Sequence, residues 1–227
     1  MSTRIKICGL RDTATIASLD GLPIHEIGFI LAPSRRRVEL SVLPELLDAV
    51  RRIRGSKGEP PRTVGVFVNE SLEQIDSILS QAPLDVVQLH GEESPDYCRQ
   101  LKEKHPAVKR WRVFSIRGGD GSAADTLLQQ ARERLVPYGD SADAFLIDAP
   151  GGGTGHTFHW PAIVAYKTAA AELGLPLYVA GGLNPDNVGE LLQGYAPDGI
   201  DVSSGVETEG RKDIDKIRLF VRRVMEA

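Results

Sequence analysis

Short apolar, β-branched runs recur along the chain at intervals of roughly 20 to 35 residues. They fall at Arg4 to Cys8, Glu26 to Leu31, Thr63 to Val68, Val86 to His90, Arg110 to Ile116, Ala144 to Asp148, Leu177 to Ala180 and Gly199 to Ser203. Each has the length and β-branched content of a buried strand. Segments of helical period lie between them, several with legible starts. Ser71 stands three residues before Gln74, Ser94 precedes Pro95 and Asn184 precedes Pro185, all patterns of an N-cap. From Asp213 onward, Ile214, Ile217, Phe220, Val221 and Val224 form an apolar stripe at i, i+3, i+4 and i+7, which predicts an eighth helix.

Strict alternation of strand and helix implies parallel strands joined by helical crossovers. Eight such units in 227 residues favour a closed (β/α)8 TIM barrel of the α/β class over an open sheet. No Pro/Gly/Ser-rich linker divides the chain. The loops Gly55 to Pro61 and Gly118 to Ser122 read as connections within one domain spanning 1–227, although the stretch from Glu133 to Asp143 makes the fifth helix harder to place.

Composition narrows the function. A formal net charge of -4 argues against a nucleic-acid surface, and the one basic cluster, Arg35-Arg36-Arg37, is too short to change this. No apolar stretch approaches a membrane span and the first residues lack a signal-peptide pattern, so no membrane partner is expected. Two cysteines, Cys8 and Cys98, are too few for a disulfide framework, which fits a reducing cytoplasm.

In a closed α/β barrel the chemistry sits where the strands end. The seventh run ends Ala180-Gly181-Gly182-Leu183-Asn184-Pro185 and the eighth Asp201-Val202-Ser203-Ser204-Gly205. Small residues let backbone N–H groups approach an anion, and the expected helices beyond would add their positive N-terminal ends. Gly181, Gly182, Ser203, Ser204 and Gly205 are therefore candidate phosphate-binding residues. Gly153 and Gly155, in the glycine-rich loop after the sixth run, join them. The alternative for any one loop is a tight turn.

Cys8 and Asp148 end the first and sixth runs and form a candidate base and acid pair. A thiol beside arginines can be lowered toward the thiolate, and a carboxyl in a water-poor mouth can be raised. The residues alone leave other readings open: a small buried hydrophobe for Cys8 and a cap or turn residue for Asp148. Cys98, one turn from Leu101 on a helix, reads as core. His156 and His159 could share a metal by spacing, but no further ligand lies near in sequence, so no metal is expected. Arg36 could clamp a carboxylate with two parallel hydrogen bonds. There is no Walker loop and no GxGxxG after a strand, so no nucleotide cofactor is implied.

Together, Lys6-Ile7-Cys8-Gly9, Ser34-Arg35-Arg36, Gly65-Val66-Phe67-Val68-Asn69, Val87-Gln88-Leu89-His90-Gly91, Leu146-Ile147-Asp148 with Gly152-Gly153-Thr154-Gly155, Gly181 to Val188 and Asp201 to Glu207 resemble phosphoribosylanthranilate isomerase of tryptophan biosynthesis. The resemblance runs nearly end to end. It implies a cofactor-free Amadori rearrangement of N-(5-phosphoribosyl)anthranilate, in which Asp148 protonates the ring oxygen and Cys8 removes the C2 proton. It also implies that Arg36 holds the anthranilate carboxylate, that Gln88, His90 and Asp201 bind substrate, and that the glycine and serine loops hold the phosphate of this small sugar-phosphate. A monomer or a homodimer fits equally. Ala180 stands where many members have serine, and His156 and His159 replace the family's usual Lys and Asp. Three rivals remain: the related histidine-pathway isomerase, expected to carry aspartate in place of Cys8, a phosphosugar-binding barrel without catalysis, and a barrel with an unrelated lyase activity.

Overall fold

The computed structural model describes residues 3–116, 124–149 and 159–227. Eight parallel strands close into a ring in chain order. They are β1 (Arg4–Cys8), β2 (Glu26–Ile30), β3 (Arg62–Phe67), β4 (Val86–Leu89), β5 (Lys109–Ser115), β6 (Ala144–Asp148), β7 (Leu177–Val179) and β8 (Gly199–Val202). The expected barrel is present, each strand within about one residue of its apolar run. Closure is made by β1 against β8, with Lys6 beside Asp201 and Ile7 beside Val202.

Among the described residues eight α-helices follow the strands: α1 (Thr13–Ala17), α2 (Leu43–Arg51), α3 (Leu72–Gln81), α4 (Pro95–Lys104), α5 (Ala124–Leu135), α6 (Ala162–Glu172), α7 (Val188–Tyr195) and α8 (Ile214–Glu226). Two of the read caps operate: the Ser71 hydroxyl accepts from Gln74 N–H, and that of Ser94 from Tyr97 N–H with Pro95 at the first helical position. Asn184 does not start α7. Its Oδ1 accepts from the N–H groups of Asp186 and Asn187, which forms a turn, and the helix begins only after Asn187. Helix α5 is a regular twelve-residue element that ends at Leu135, and the rest of the stretch after Glu133 is a single 3-10 turn at Val136–Tyr138 and the turn leading to β6.

Alternation along the strands sorts side chains into two layers. On β1, Ile5 and Ile7 join the large cluster between sheet and helices, whereas Lys6 and Cys8 point into the barrel. A smaller apolar cluster, Val64, Val86, Trp111, Val113, Ala144, Leu146, Tyr178 and Ala180, fills the interior. Trp111 and Tyr178 stack there with centroids 4.2 Å apart. This plug leaves the strands' carboxyl ends as the open mouth. At the opposite end the fully buried Glu26 carboxylate takes hydrogen bonds from Arg4 and Arg62.

One element was not anticipated. Between β8 and α8 the chain forms a 3-10 turn at Ser204–Val206 and then a hairpin of two short strands, β9 (Glu207–Thr208) and β10 (Arg211–Lys212). Its two-residue loop, Glu209 and Gly210, has φ of 50° and 75°, the left-handed pair that a tight hairpin turn requires. Strand eight therefore does not feed α8 directly, as the helix-end argument for phosphate binding supposed. The N-terminus of α8 is instead capped by the Asp213 side chain.

Candidate active site

A cavity of about 350 Å³ opens at the carboxyl ends of the strands. Of the residues singled out from sequence, Cys8, Arg36, Gln88, His90, Asp148, Gly181, Gly182, Asp201, Ser203 and Ser204 all line it. Gly205 lies just behind, where a Cβ would collide with the Leu183 carbonyl, so only glycine lets the loops after β7 and β8 pack backbone to backbone. Gly153, Gly155 and His156 lie outside the described residues. His159 is exposed on a loop, and Cys98 is buried in the core as read. Among the described residues no group of three or more His, Cys, Asp or Glu side chains could hold a metal ion.

Asp148 ends β6 and is buried. Burial, reinforced by the Asp201 carboxylate, pushes its carboxyl up to about 7. Backbone N–H of Ala149 and the Lys6 ammonium oppose this without cancelling it. His90 Nε2 lies 3.5 Å from Asp148 Oδ2. Burial holds that imidazole down at about 4, so near neutrality the pair is an uncharged imidazole facing a carboxyl poised to give up its proton. Among the described residues Asp148 Oδ1 has no hydrogen-bond partner, nor do Asp201 Oδ1 and Gln88 Oε1. Buried polar atoms left open in a cavity wall are where a polar ligand would bond.

Cys8 faces the same cavity, but its setting differs from the sequence reading. Burial raises the thiol, and the cations that counter this are Lys6 and Lys212, not arginines. Lys6 had attracted no role although it sits two residues before Cys8 and must share its face of β1. Its ammonium is fully buried and lies 2.7 Å from Asp201 Oδ2. Gly28 on β2 completes the arrangement: a Cβ there would meet Cys8 Sγ at 2.7 Å and Lys6 Nζ at 3.1 Å.

Arg36 is also held more firmly than expected. Its Nε and one terminal nitrogen donate to the two oxygens of Glu207, at 2.7 and 3.0 Å. Glu207 also accepts from Lys212 at 2.9 Å, and Lys212 reaches on to the Ser203 carbonyl at 2.8 Å. Although burial works against the charge, these hydrogen bonds hold the Glu207 carboxyl down at about 2. The fork facing Glu207 is thereby used, and the other edge of the guanidinium remains for a ligand. Glu207 and Lys212 escaped the sequence reading because the hairpin that carries them has strands of only two residues.

The model of the family described as N-(5'phosphoribosyl)anthranilate (PRA) isomerase matches residues 5–223. The chain belongs to this family. A relative from Brevibacillus brevis, an N-(5'-phosphoribosyl)anthranilate isomerase, is 42% identical over 226 residues, covering 98% of this chain and 93% of the relative. The dimeric phosphoribosylanthranilate isomerase of Thermotoga maritima, crystallised as monomers, superposes with a TM-score of 0.76 at 30% identity, covering 99% of this chain and all of that one. A phosphoribosylanthranilate isomerase in complex with reduced 1-(o-carboxyphenylamino)-1-deoxyribulose 5-phosphate superposes with a TM-score of 0.70 at 30% identity, over 99% of this chain and all of that one. As a phosphoribosylanthranilate isomerase, the chain is an aldose-ketose isomerase of tryptophan biosynthesis.

Proposed function

We propose that Cys8 and Asp148 carry the isomerisation of N-(5'-phosphoribosyl)anthranilate as base and acid, with the whole chain, residues 1–227, acting as one barrel domain. The observation that carries this reading is that a carboxyl raised to about 7 and a cysteine flanked by buried cations share one cavity. Protonated Asp148 donates to the furanose ring oxygen as the C1–O bond breaks, and the anthranilate nitrogen lone pair forms the Schiff base. The Cys8 thiolate then takes the C2 proton; the C–H pair becomes the C1–C2 double bond and the iminium electrons return to nitrogen. The resulting enolamine tautomerises to the ketone. The substrate's own nitrogen is the electron sink.

Binding follows the cavity wall. The free edge of Arg36 takes the anthranilate carboxylate, and Ile30, Ala32, Val66 and Val68 offer an apolar side for the ring. Asp201 Oδ1, Gln88 and His90 accept or donate to sugar hydroxyls, and the phosphate lies against Gly181, Gly182, Ser203, Ser204 and Gly205; Gly153 and Gly155 are further phosphate-binding candidates by sequence. The relative complexed with a reduced carboxyphenylamino-deoxyribulose phosphate supports a phosphosugar of this kind as the ligand. Among the described residues no helix is long and apolar enough to cross a membrane. A cytoplasmic place and a monomer or a homodimer are part of this reading, the latter supported by the dimeric Thermotoga maritima relative.

The test is loss of anthranilate fluorescence when purified protein is added, with no metal or coenzyme, to freshly made phosphoribosylanthranilate. Fast, saturable loss is expected. No loss with folded protein would overturn the reading in favour of the histidine-pathway aminoaldose substrate or a binding-only barrel.

A further inference from the structure

Cys8 presents a problem as a base. Its proton acceptor is the thiolate, yet the side chain is buried where water does little to stabilise an anion. The charged and titratable groups facing it are Lys6 on its own strand, Asp201 on β8, Lys212 on β10 and, around the same cavity, Arg36, His90 and Asp148. Three observations separate Lys6 from the rest. It is the one cation in this set with no solvent exposure. It shares with Cys8 Sγ the contact surface over Gly28, which puts nitrogen and sulfur within direct electrostatic reach. Its Nζ donates to Asp201 at 2.7 Å and has N–H groups to spare for the Cys8 sulfur, with which it also stands in hydrogen-bonding relation. Arg36 and Lys212, by contrast, are bound to Glu207.

We propose that Lys6 is the positioning residue that makes Cys8 a thiolate: its ammonium, held charged by Asp201 and packed with the sulfur over Gly28, stabilises the anion that takes the substrate proton. Asp201 serves two purposes in this arrangement. One oxygen, Oδ2, fixes the lysine, and the other, Oδ1, is buried without a hydrogen-bond partner among the described residues. Burial and the Asp201 carboxylate both work against the thiolate, while Lys6 and, more weakly, Lys212 work for it. During the proton transfer Lys6 stays an ammonium ion: the proton passes from carbon to sulfur, and the lysine responds only by facing a neutral thiol instead of an anion. The role assigned to Cys8 rests on the isomerase reading; the charge state of the sulfur does not.

The experiment is a pH titration of the ultraviolet thiolate absorption, taken for each protein as the difference from its Cys8→Ser counterpart. Lys6→Gln is expected to move the Cys8 midpoint up by about one pH unit or more. The acidic limb of kcat/KM should move up by the same amount, and because protonated Asp148 is lost as pH rises through 7 the activity lost near neutrality is not regained at higher pH. A folded Lys6→Gln with an unmoved midpoint would overturn the proposal. If an unpaired Asp201 unfolds that variant, comparing Asp201→Asn with Asp201→Asn/Lys6→Met isolates the lysine without leaving a buried carboxylate alone, and the same upward shift is expected. A shifted midpoint where the parent protein is inactive on phosphoribosylanthranilate would sink the isomerase reading and leave this inference standing. Full activity with an unmoved midpoint would do the reverse.

Discussion

The two ends of the barrel both bury charge, to different effect. At the floor, Glu26 is enclosed by Arg4 and Arg62 with the Tyr178 hydroxyl nearby, and both guanidiniums keep more than a third of their side-chain surface in water. The cations there anchor strands β1, β2 and β3 to one another. At the mouth, Lys6 has no exposed surface, its partner Asp201 lines the cavity, and the neighbouring thiol and carboxyl, which line it as well, are both displaced from their ordinary titration ranges. The salt bridges at both ends tie strands together and perturb titratable neighbours, but only those at the mouth do so beside the cavity. The difference lies in what stands beside them: the Tyr178 phenol and the His25 imidazole at the floor, a thiol and a carboxyl that line the cavity at the mouth.

Substitutions at the two ends should separate along the same line. The largest effect is expected at the mouth, where Cys8→Ser and Asp148→Asn each lower kcat by at least about a hundredfold in fluorescence assays while circular dichroism stays native. Near-normal turnover in either would remove that residue's role. Glu26→Ala should do the opposite. By leaving two cations together it lowers stability by about 2 kcal/mol, seen as a fall in Tm of roughly 4 to 8 °C, with kcat within about twofold of the parent. A large loss of turnover there would erase the distinction between the ends. Glu207→Gln tests whether Arg36 depends on its fork partner. KM should rise about tenfold with little change in kcat, since the loosened guanidinium binds the carboxylate less well in ground and transition states alike.

The smallest effect concerns pH and stability. The Asp148 carboxyl is raised to about 7 in the folded chain from an ordinary value of 3.8. The folded state therefore holds this proton more tightly than the unfolded one, and its contribution is complete below about pH 4 and lost as pH rises through 7. Above pH 7 the native state carries a buried carboxylate that Asp148→Asn removes. The variant should melt higher than the parent by at least about 1 kcal/mol, or 2 to 4 °C, at pH 8, and level with it at pH 4. An identical difference at both pH values would argue against a raised carboxyl. Turnover by the parent should decline across the same interval as the acid is lost.

Most of the barrel could be read in the sequence because parallel strands buried on both faces leave uninterrupted β-branched runs, and because Ser71, Ser94 and Asp213 signal helix starts by local hydrogen bonding. The residues at the strand ends were legible for the same reason: where a run stops, the mouth begins. What escaped depends on groups that meet only in three dimensions. Gly28 is an unremarkable strand glycine until Cys8 and Lys6 press against it from the neighbouring strand. Glu207 and Lys212 occupy a hairpin too short for any period to show, and their partner Arg36 is 171 residues from Glu207. Asn184 was misplaced as a helix cap because an Asx turn and an N-cap present the same Asn-Pro signature.

The seam where β1 meets β8 has a consequence in time. Lys6 and Asp201 are separated by 195 positions, so a chain emerging amino end first must hold its lysine unpaired until nearly all of the remaining sequence has been made. The cation that is proposed to arm the cysteine acquires its counterion only when the last strand docks. Chemical competence and ring closure would then arrive as one event, and no partly assembled barrel would present a finished reaction centre to the labile sugar it is meant to transform.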